Sequence, residues 1–243
     1  MAVPQIVTDY SCALDAAAFP GVTVVTMGVE HEQRGDPPSR AAYGEAFAKS
    51  VPGGPVICLV GPYGYSAAQT AASGARNDLA RLKLNPDSVR VFNTGRSFLA
   101  LGALAAALAT SGLDAEAAFR WLDATAPQTS MWLIARTASL GAAPPEAHLE
   151  APGGIPDAEY ALLRVRLSAR MIGGFETAES ALAEAIRRAA MPAEAIALTV
   201  SPLSYSASPA SAVNANVAFE VQLPLALRAW FGDCAGFGFA PTA

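Results

Sequence analysis

The run Phe98–Ala109 (FLALGALAAALA) carries no charge and no hydroxyl over its twelve residues. It is too short for the roughly 20 apolar residues that a membrane-spanning helix needs. It reads instead as a helix buried on every side inside a soluble protein, so the rest of the chain must supply walls around it. With 243 residues, 52% of them hydrophobic and 15% charged, the chain is long enough to bury about 70% of its unfolded surface without covalent staples. Cys12, Cys58 and Cys234 are far apart and in no CxxC or Cys/His spacing, so neither a disulfide framework nor a zinc site is readable. A reduced cytoplasm is the simplest setting. Met1 to Thr8 shows no basic stretch followed by an apolar core, which argues against a secretory signal. The balance of 16 Lys+Arg against 21 Asp+Glu, without a basic run, gives no footprint for nucleic acid.

Short apolar runs alternate with alanine-rich stretches through the first 140 or so residues. Strands are expected at Pro4–Thr8, Gly21–Gly28, Pro55–Val60 and Ser88–Asn93, with a further apolar run at Thr129–Ile134. Helices are expected at Arg40–Ser50, Ser66–Leu82, Ser97–Thr110 and Asp114–Ala126. Near-continuous apolar strands separated by helices predict a mostly parallel sheet covered on both faces. The stretch Gly141–Asp157 packs prolines and glycines densely, which predicts a lobe boundary, with residues 1–143 as an N-terminal α/β lobe and 144–243 as a smaller α/β lobe. Beyond it, Tyr160–Ile172 reads as a strand and Thr177–Ala190 as an amphipathic helix capped by Thr177, with Glu179 in its first turn. Ala195–Val200 reads as a strand, and Val213–Phe231, interrupted by Pro224, fits either a strand or a helix.

Chemistry-bearing residues are sparse. His31 and His148 are the only histidines, and neither has a nucleophile or carboxylate at a useful spacing. No HExxH, Walker lysine or paired cysteine is present, so no metal or cofactor is implied. The segment Gly61–Ser66 (GPYGYS) leaves a buried strand and opens a helix. It fits an anion cradle built on free helix N–H groups, and equally a tight β-to-α turn with Ser66 as N-cap. Asn93–Ser97 (NTGRS) is a second junction of this kind, and in a parallel sheet both fall at strand carboxyl ends, where open α/β folds place ligands. The closing GDCAGFGFAPTA sets Phe237 and Phe239 at alternate positions, as a ligand-facing strand or an edge strand packed on the core.

Taken in order, these segments resemble the DegV family, two-lobed bacterial proteins that bind fatty acids. IVTDYSCAL, with Thr8 and Asp9, is similar to the family's I-V-T-D-S-T opening. GDPPS at 35–39 is similar to its T-S-Q-P-S, and GPYGYSAAQTA at 61–71 stands where it carries S-S-G-L-S-G-T-Y-Q-S-A. VFNTGRSFLALG resembles its V-I-D-S-K-S stretch, and GDCAGFGFAP its closing G-x-V-I-G-x-H-x-G-P. The resemblance implies a two-lobed α/β fold with a parallel-sheet N-terminal lobe and a ligand held between the lobes. In the family, loop hydroxyls hold the fatty acid carboxylate. The corresponding positions here are Gly35, Asp36, Gly61 and Pro62, and the late histidine falls on Gly238.

The resemblance therefore implies a divergent lipid-binding protein, a carrier with no catalytic residue, which presents a hydrophobic ligand to a partner enzyme. Its site would draw on Thr8, Asp9 and Asp36, on Gly61, Tyr63, Tyr65 and Ser66, on Asn93 and Thr94, and on Phe237 and Phe239. Two other readings stay open, a scaffold subunit that has lost ligand binding and an enzyme that uses the Gly61–Ser66 loop.

Overall fold

The computed structural model describes residues 2–34, 36–61, 67–166, 168–201 and 208–243. Four strands, β1 (Gln5–Asp9), β2 (Val22–Val25), β3 (Val56–Val60) and β4 (Val89–Asn93), pair in parallel in the order β2-β1-β3-β4. Every residue of β3 (VICLV) is buried, as a strand covered on both faces requires. Side-chain alternation sends Val7, Val56 and Cys58 to one face. There they meet α2 (Arg40–Ser50) and α3 (Ala68–Asp78), which follow a short, exposed α1 (Val29–Arg34). Ile6, Ile57 and Leu59 point to the other face, against the expected buried helix, α4 (Phe98–Thr110).

Past α5 (Ala115–Thr125) the chain builds a second, mixed sheet. Its strands are β5 (Ser130–Arg136), β6 (Leu149–Glu150), β7 (Tyr160–Val165), β8 (Ala169–Phe175), β9 (Ala195–Val200), β10 (Val217–Glu220) and β11 (Cys234–Pro241). They pair in the order β10-β9-β11-β5-β7-β8-β6. The accompanying helices are α6 (Thr137–Leu140), α7 (Ala178–Ala189), α8 (Pro209–Ala212) and α9 (Leu225–Phe231). The architecture is thus α/β, with one parallel sheet and one larger mixed sheet. β5 comes from upstream of the Pro- and Gly-rich stretch but is hydrogen-bonded between β11 and β7, so the larger sheet draws on both sides of residue 143.

Several local expectations change. Tyr160–Ile172 is not one strand: Tyr160–Val165 and Ala169–Phe175 form the antiparallel pair β7 and β8, with Tyr160 opposite Phe175. Val213–Phe231 is both strand and helix, β10 ending before Pro224 and α9 beginning after it, where proline's fixed φ suits a helix start. The 66–82 helix is α3 followed by a tight 3-10 turn at Leu79–Leu82, and Ser66 lies outside the described residues. Thr177 does cap α7, its hydroxyl accepting from Ser180 N at 3.2 Å, with Glu179 in the first turn. β11 is not an edge strand; it is paired on both sides, by β9 and β5.

Helix α4 lies between the two sheets. Phe98 through Leu108 are all buried, and each large apolar side chain among them contributes roughly 1.5–3 kcal/mol relative to exposure. Glycines set how closely the walls approach. A Cβ at Gly102 would collide with the Cys12 carbonyl oxygen and lie 2.5 Å from Leu198 Cδ1. A Cβ on Gly238 of β11 would strike the backbone of Leu99 and come within 2.5 Å of Ala100 N. No helix among the described residues is long and apolar enough to cross a membrane.

Gly102→Ala is expected to destabilise the protein by about 3 kcal/mol through overpacking against backbone that cannot yield. Gly44→Ala, in α2 with nothing within 4 Å of its Cβ position, is expected to stabilise by roughly 0.5–1 kcal/mol. Urea denaturation midpoints check both, and equal shifts of the same sign would contradict the packing described here.

Candidate functional site

The carboxyl ends of β1, β3 and β4 come together beside the start of α4. A Cβ at Gly61, just past β3, would lie 3.5 Å from Ser97 Oγ and 3.6 Å from Arg96 O, so the two junctions singled out in the sequence are neighbours. Tyr63, Tyr65 and Ser66, with Pro62 and Gly64, lie outside the described residues, as does Gly35.

Strand alternation separates Thr8 from Asp9. Asp9 faces α2 and is 2% exposed. Its carboxylate caps the turn Tyr10–Cys12, accepting from Ser11 N at 3.0 Å and from the Ser11 hydroxyl, and it accepts from Tyr43 Oη of α2 at 2.8 Å. Burial raises its pKa above the ordinary value, opposed by those hydrogen bonds. Its described contacts thus cap the turn after β1 and tie β1 to α2. Thr8, with β1's alternation, faces the α4 side and is fully buried. Its Oγ1 has no hydrogen-bond partner. The Cys12 sulfur lies close enough for the Thr8 hydroxyl, as donor, to favour the thiolate form, a weak interaction that leaves the hydroxyl oxygen without a donor of its own.

Asn93 and Thr94 are engaged in holding their own loop. Asn93 donates to Gln69 Oε1 at 2.9 Å, tying β4 to α3, and accepts from Gly95 N at 3.0 Å. Thr94 Oγ1 lies 3.0 Å from both Val60 O and Arg96 O, and accepts from Arg96 N at 3.0 Å. Asp36 stands apart from these residues. Its carboxylate is 3.0 Å from Arg34 and from His31 Nδ1 and is 41% exposed, while its carbonyl accepts from Tyr10 Oη. The bonds from His31 and Arg34 hold its pKa below the usual range. It therefore poses no buried charge against a ligand, contrary to its place among the expected site residues. Phe237 and Phe239 are also displaced: they lie in the closed core under α7, on the face of the large sheet away from α4.

Arg96, which the sequence reading did not single out, joins the junction to the second sheet. Its guanidinium spans from the β4–α4 junction to the start of β5, donating to Thr129 O and Oγ1 at 3.1 Å and to Pro127 O at 3.1 Å. The signal available was a lone cation inside the NTGRS junction. A cavity of about 490 Å³ was missed as well. It opens between the segment after β1, with Leu14 and Phe19, and the end of β10, with Phe219 and Val221, and is rimmed by Asp15 and Glu220. Phe19 and Phe219 meet edge-on across it, with centroids 4.8 Å apart. The three cysteines are buried, and burial pushes the Cys12 and Cys234 thiols up to about 12. They are thus neutral thiols at pH 7. Among the described residues no three His, Cys, Asp or Glu side chains are grouped to hold a metal ion.

The architecture as a whole matches solved structures from end to end. A DegV family protein from Corynebacterium glutamicum superposes with a TM-score of 0.74 at 18% identity, covering 100% of this chain and 98% of that one. The fold is that of the DegV family. A fatty-acid-binding DegV family protein from Thermus thermophilus gives 0.74 at 14% identity, with 100% of each chain covered. A stearic-acid-binding protein from Eubacterium ventriosum gives 0.77 at 15% identity, with 98% of each covered. No protein-family model matches the sequence, and no curated protein does. At Gly238, the position on which the resemblance would place a histidine, the α4 backbone occupies the space that a side chain would need.

The raised pKa of Asp9 fixes the sign of a pH effect. An acid whose folded pKa lies above its unfolded value, near 3.8, makes the folded state lose stability as pH rises from the unfolded value through the folded one. Wild type is therefore expected to lose stability relative to Asp9→Asn over that window, by up to about 1.4 kcal/mol per pH unit, and to hold a constant difference above it. Parallel urea titrations of both proteins check this; a difference flat from pH 4 upward would contradict it.

Proposed function

We propose that this protein is a lipid carrier. It binds a fatty acid or similar amphiphile between its two lobes and presents it to a partner enzyme, without chemistry of its own. The observation that carries this reading is the end-to-end likeness to proteins described as binding fatty acids and stearic acid. Two local features support it. A cavity of about 490 Å³ lies within the range of roughly 300–1,000 Å³ usual for small-molecule sites. The Thr8 hydroxyl, buried and unpartnered on the α4 side of β1, is a group that a ligand head can satisfy. In this reading the head lies near Thr8 and the Gly61–Ser66 loop, and the tail runs along the apolar wall formed by Leu14, Phe19, Phe219 and Val221. Each buried methylene would contribute about 0.8 kcal/mol.

A second reading, a scaffold that has lost its ligand, is favoured by one observation. α4 is pressed onto Gly238, so the family's histidine cannot be accommodated there without moving the helix.

Native mass spectrometry of freshly purified protein, followed by organic extraction, separates the two. The carrier reading expects a defined amphiphile near one equivalent. An unliganded mass, with no uptake of added fatty acid, overturns it in favour of the scaffold. Thr8→Val sharpens the test. Removing an unpartnered buried hydroxyl is expected to stabilise the ligand-free protein by on the order of 1 kcal/mol while weakening ligand binding. Unchanged affinity would remove Thr8 from the site.

A further inference from the structure

The face of the seven-stranded sheet covered by α7 carries polar groups that the fold leaves unused. Ser130, at the start of β5, shares this face with Trp132 and Ile134, opposite Phe239 and Phe237 of β11. Trp132 pairs with Arg164 across β5 and β7, and the same register carried one pair of positions further sets Arg166 beside Ser130. Ser130 Oγ, Trp132 Nε1 and Arg164 Nε are buried without a hydrogen-bond partner. The residues Ser130 and Trp132 are only 3% and 2% exposed. Among the described residues one other side-chain atom, Thr8 Oγ1, shares that condition, so three of the four such atoms lie together.

Positive charge converges on the same place. The Arg164 guanidinium carbon stands 5.4 Å from the centroid of the Trp132 ring. Arg96 reaches across from the β4–α4 junction, and its bonds to Thr129 put it next to Ser130. All of its described acceptors are carbonyls and one hydroxyl, none of them charged. Nine other arginines pair with carboxylates. Among the described residues five arginines have no ion pair, Arg96, Arg120, Arg164, Arg166 and Arg170, and three of these, Arg96, Arg164 and Arg166, are close enough to repel one another. Desolvation, and then repulsion from neighbouring arginines, pulls the Arg96 and Arg164 pKa values down. Glu150 of the adjacent edge strand β6 is engaged by the Ser168 hydroxyl, at 2.5 Å.

We propose that Arg164 and Arg166, backed by Ser130 and Trp132 and flanked by Arg96, bind a phosphate-class oxyanion, as free phosphate or as the phosphate head of an amphiphile. The unused groups are N–H and O–H donors, and an oxyanion offers only acceptors. A single carboxylate would neutralise one of three guanidinium groups, whereas a doubly charged tetrahedral group meets more of the charge and more of the donors. Ser130, Trp132 and Arg164 lie on the face of the sheet away from α4, and neither they nor Arg166 belong to the proposed lipid site, so Arg166→Gln tests the anion site apart from the lipid reading; only Arg96 flanks both.

The test is isothermal titration at low salt with inorganic phosphate, with hexyl phosphate and with acetate. It uses wild type, Ser130→Ala and Arg166→Gln, the last at an exposed position whose replacement leaves the core intact. Wild type is expected to bind one equivalent of phosphate, about tenfold or more tightly than acetate. Arg166→Gln is expected to weaken that binding by about tenfold, and Ser130→Ala to weaken it as well. Tighter binding of hexyl phosphate than of phosphate assigns the anion to an amphiphile head; equal or weaker binding assigns it to free phosphate. The proposal is overturned if wild type shows no saturable binding of either phosphate at about 10 mM, or if Arg166→Gln leaves the binding intact.

Discussion

The close approach of α4 to both sheets is the constraint on which the rest of the structure depends. A helix that is apolar all round can be stable only if it is enclosed, and the enclosure here is tight enough for backbone to meet backbone. The Cys12 carbonyl faces Gly102, and Gly238 lies under the first turn. Those contacts fix the turn after β1 from one side and strand β11 from the other. Thr8, one residue before the Asp9 cap that starts that turn, is held beneath the helix as a result. Among the described residues, then, packing of α4 fixes how the two sheets sit on it.

The entry into α4 is strained. Gly95 and Phe98 both have positive φ, +60° and +53°, and for a bulky residue such as Phe98 this conformation is costly. Arg96 stands between them and bonds across to Thr129 and Pro127, while the Phe98 ring packs edge-on against Trp230 at 5.6 Å. Clamps on both sides hold the turn. A cation that secures the junction is thereby also delivered, without a counterion among the described residues, to the edge of the second sheet.

Burial was legible in the sequence; pairing was not. The run Phe98–Ala109, the VICLV strand and the Thr177 cap each carry a local physical signal: absence of charge, a continuous apolar run, or a hydroxyl placed to meet a free N–H. Which strands adjoin is a nonlocal matter. Tyr160–Ile172 is apolar enough to read as one strand because the sequence between β7 and β8 contains no glycine or proline to mark a reversal. The glycines of β11 look like an edge or a loop by composition, yet Gly238 is there because a helix backbone passes over it.

The same distinction governs the polar residues at the strand ends. Asp9, Asn93 and Thr94 read as ligand contacts because they sit where parallel sheets place ligands, but each is occupied by a cap or a loop that the sequence does not display. Thr8 is set apart from Asp9 only by the alternation of a strand, which turns one side chain toward α2 and its neighbour toward α4. A hydroxyl or an N–H buried without a partner is a cost that a fold carries unless something else meets it. The described residues hold such groups in two places, under α4 at Thr8 and under the arginines at Ser130, Trp132 and Arg164. The first neighbours apolar walls and no positive cluster, so it suits one polar end of a largely hydrophobic molecule. The second consists of donors beside mutually repelling arginines, so it suits a group that offers acceptors and negative charge.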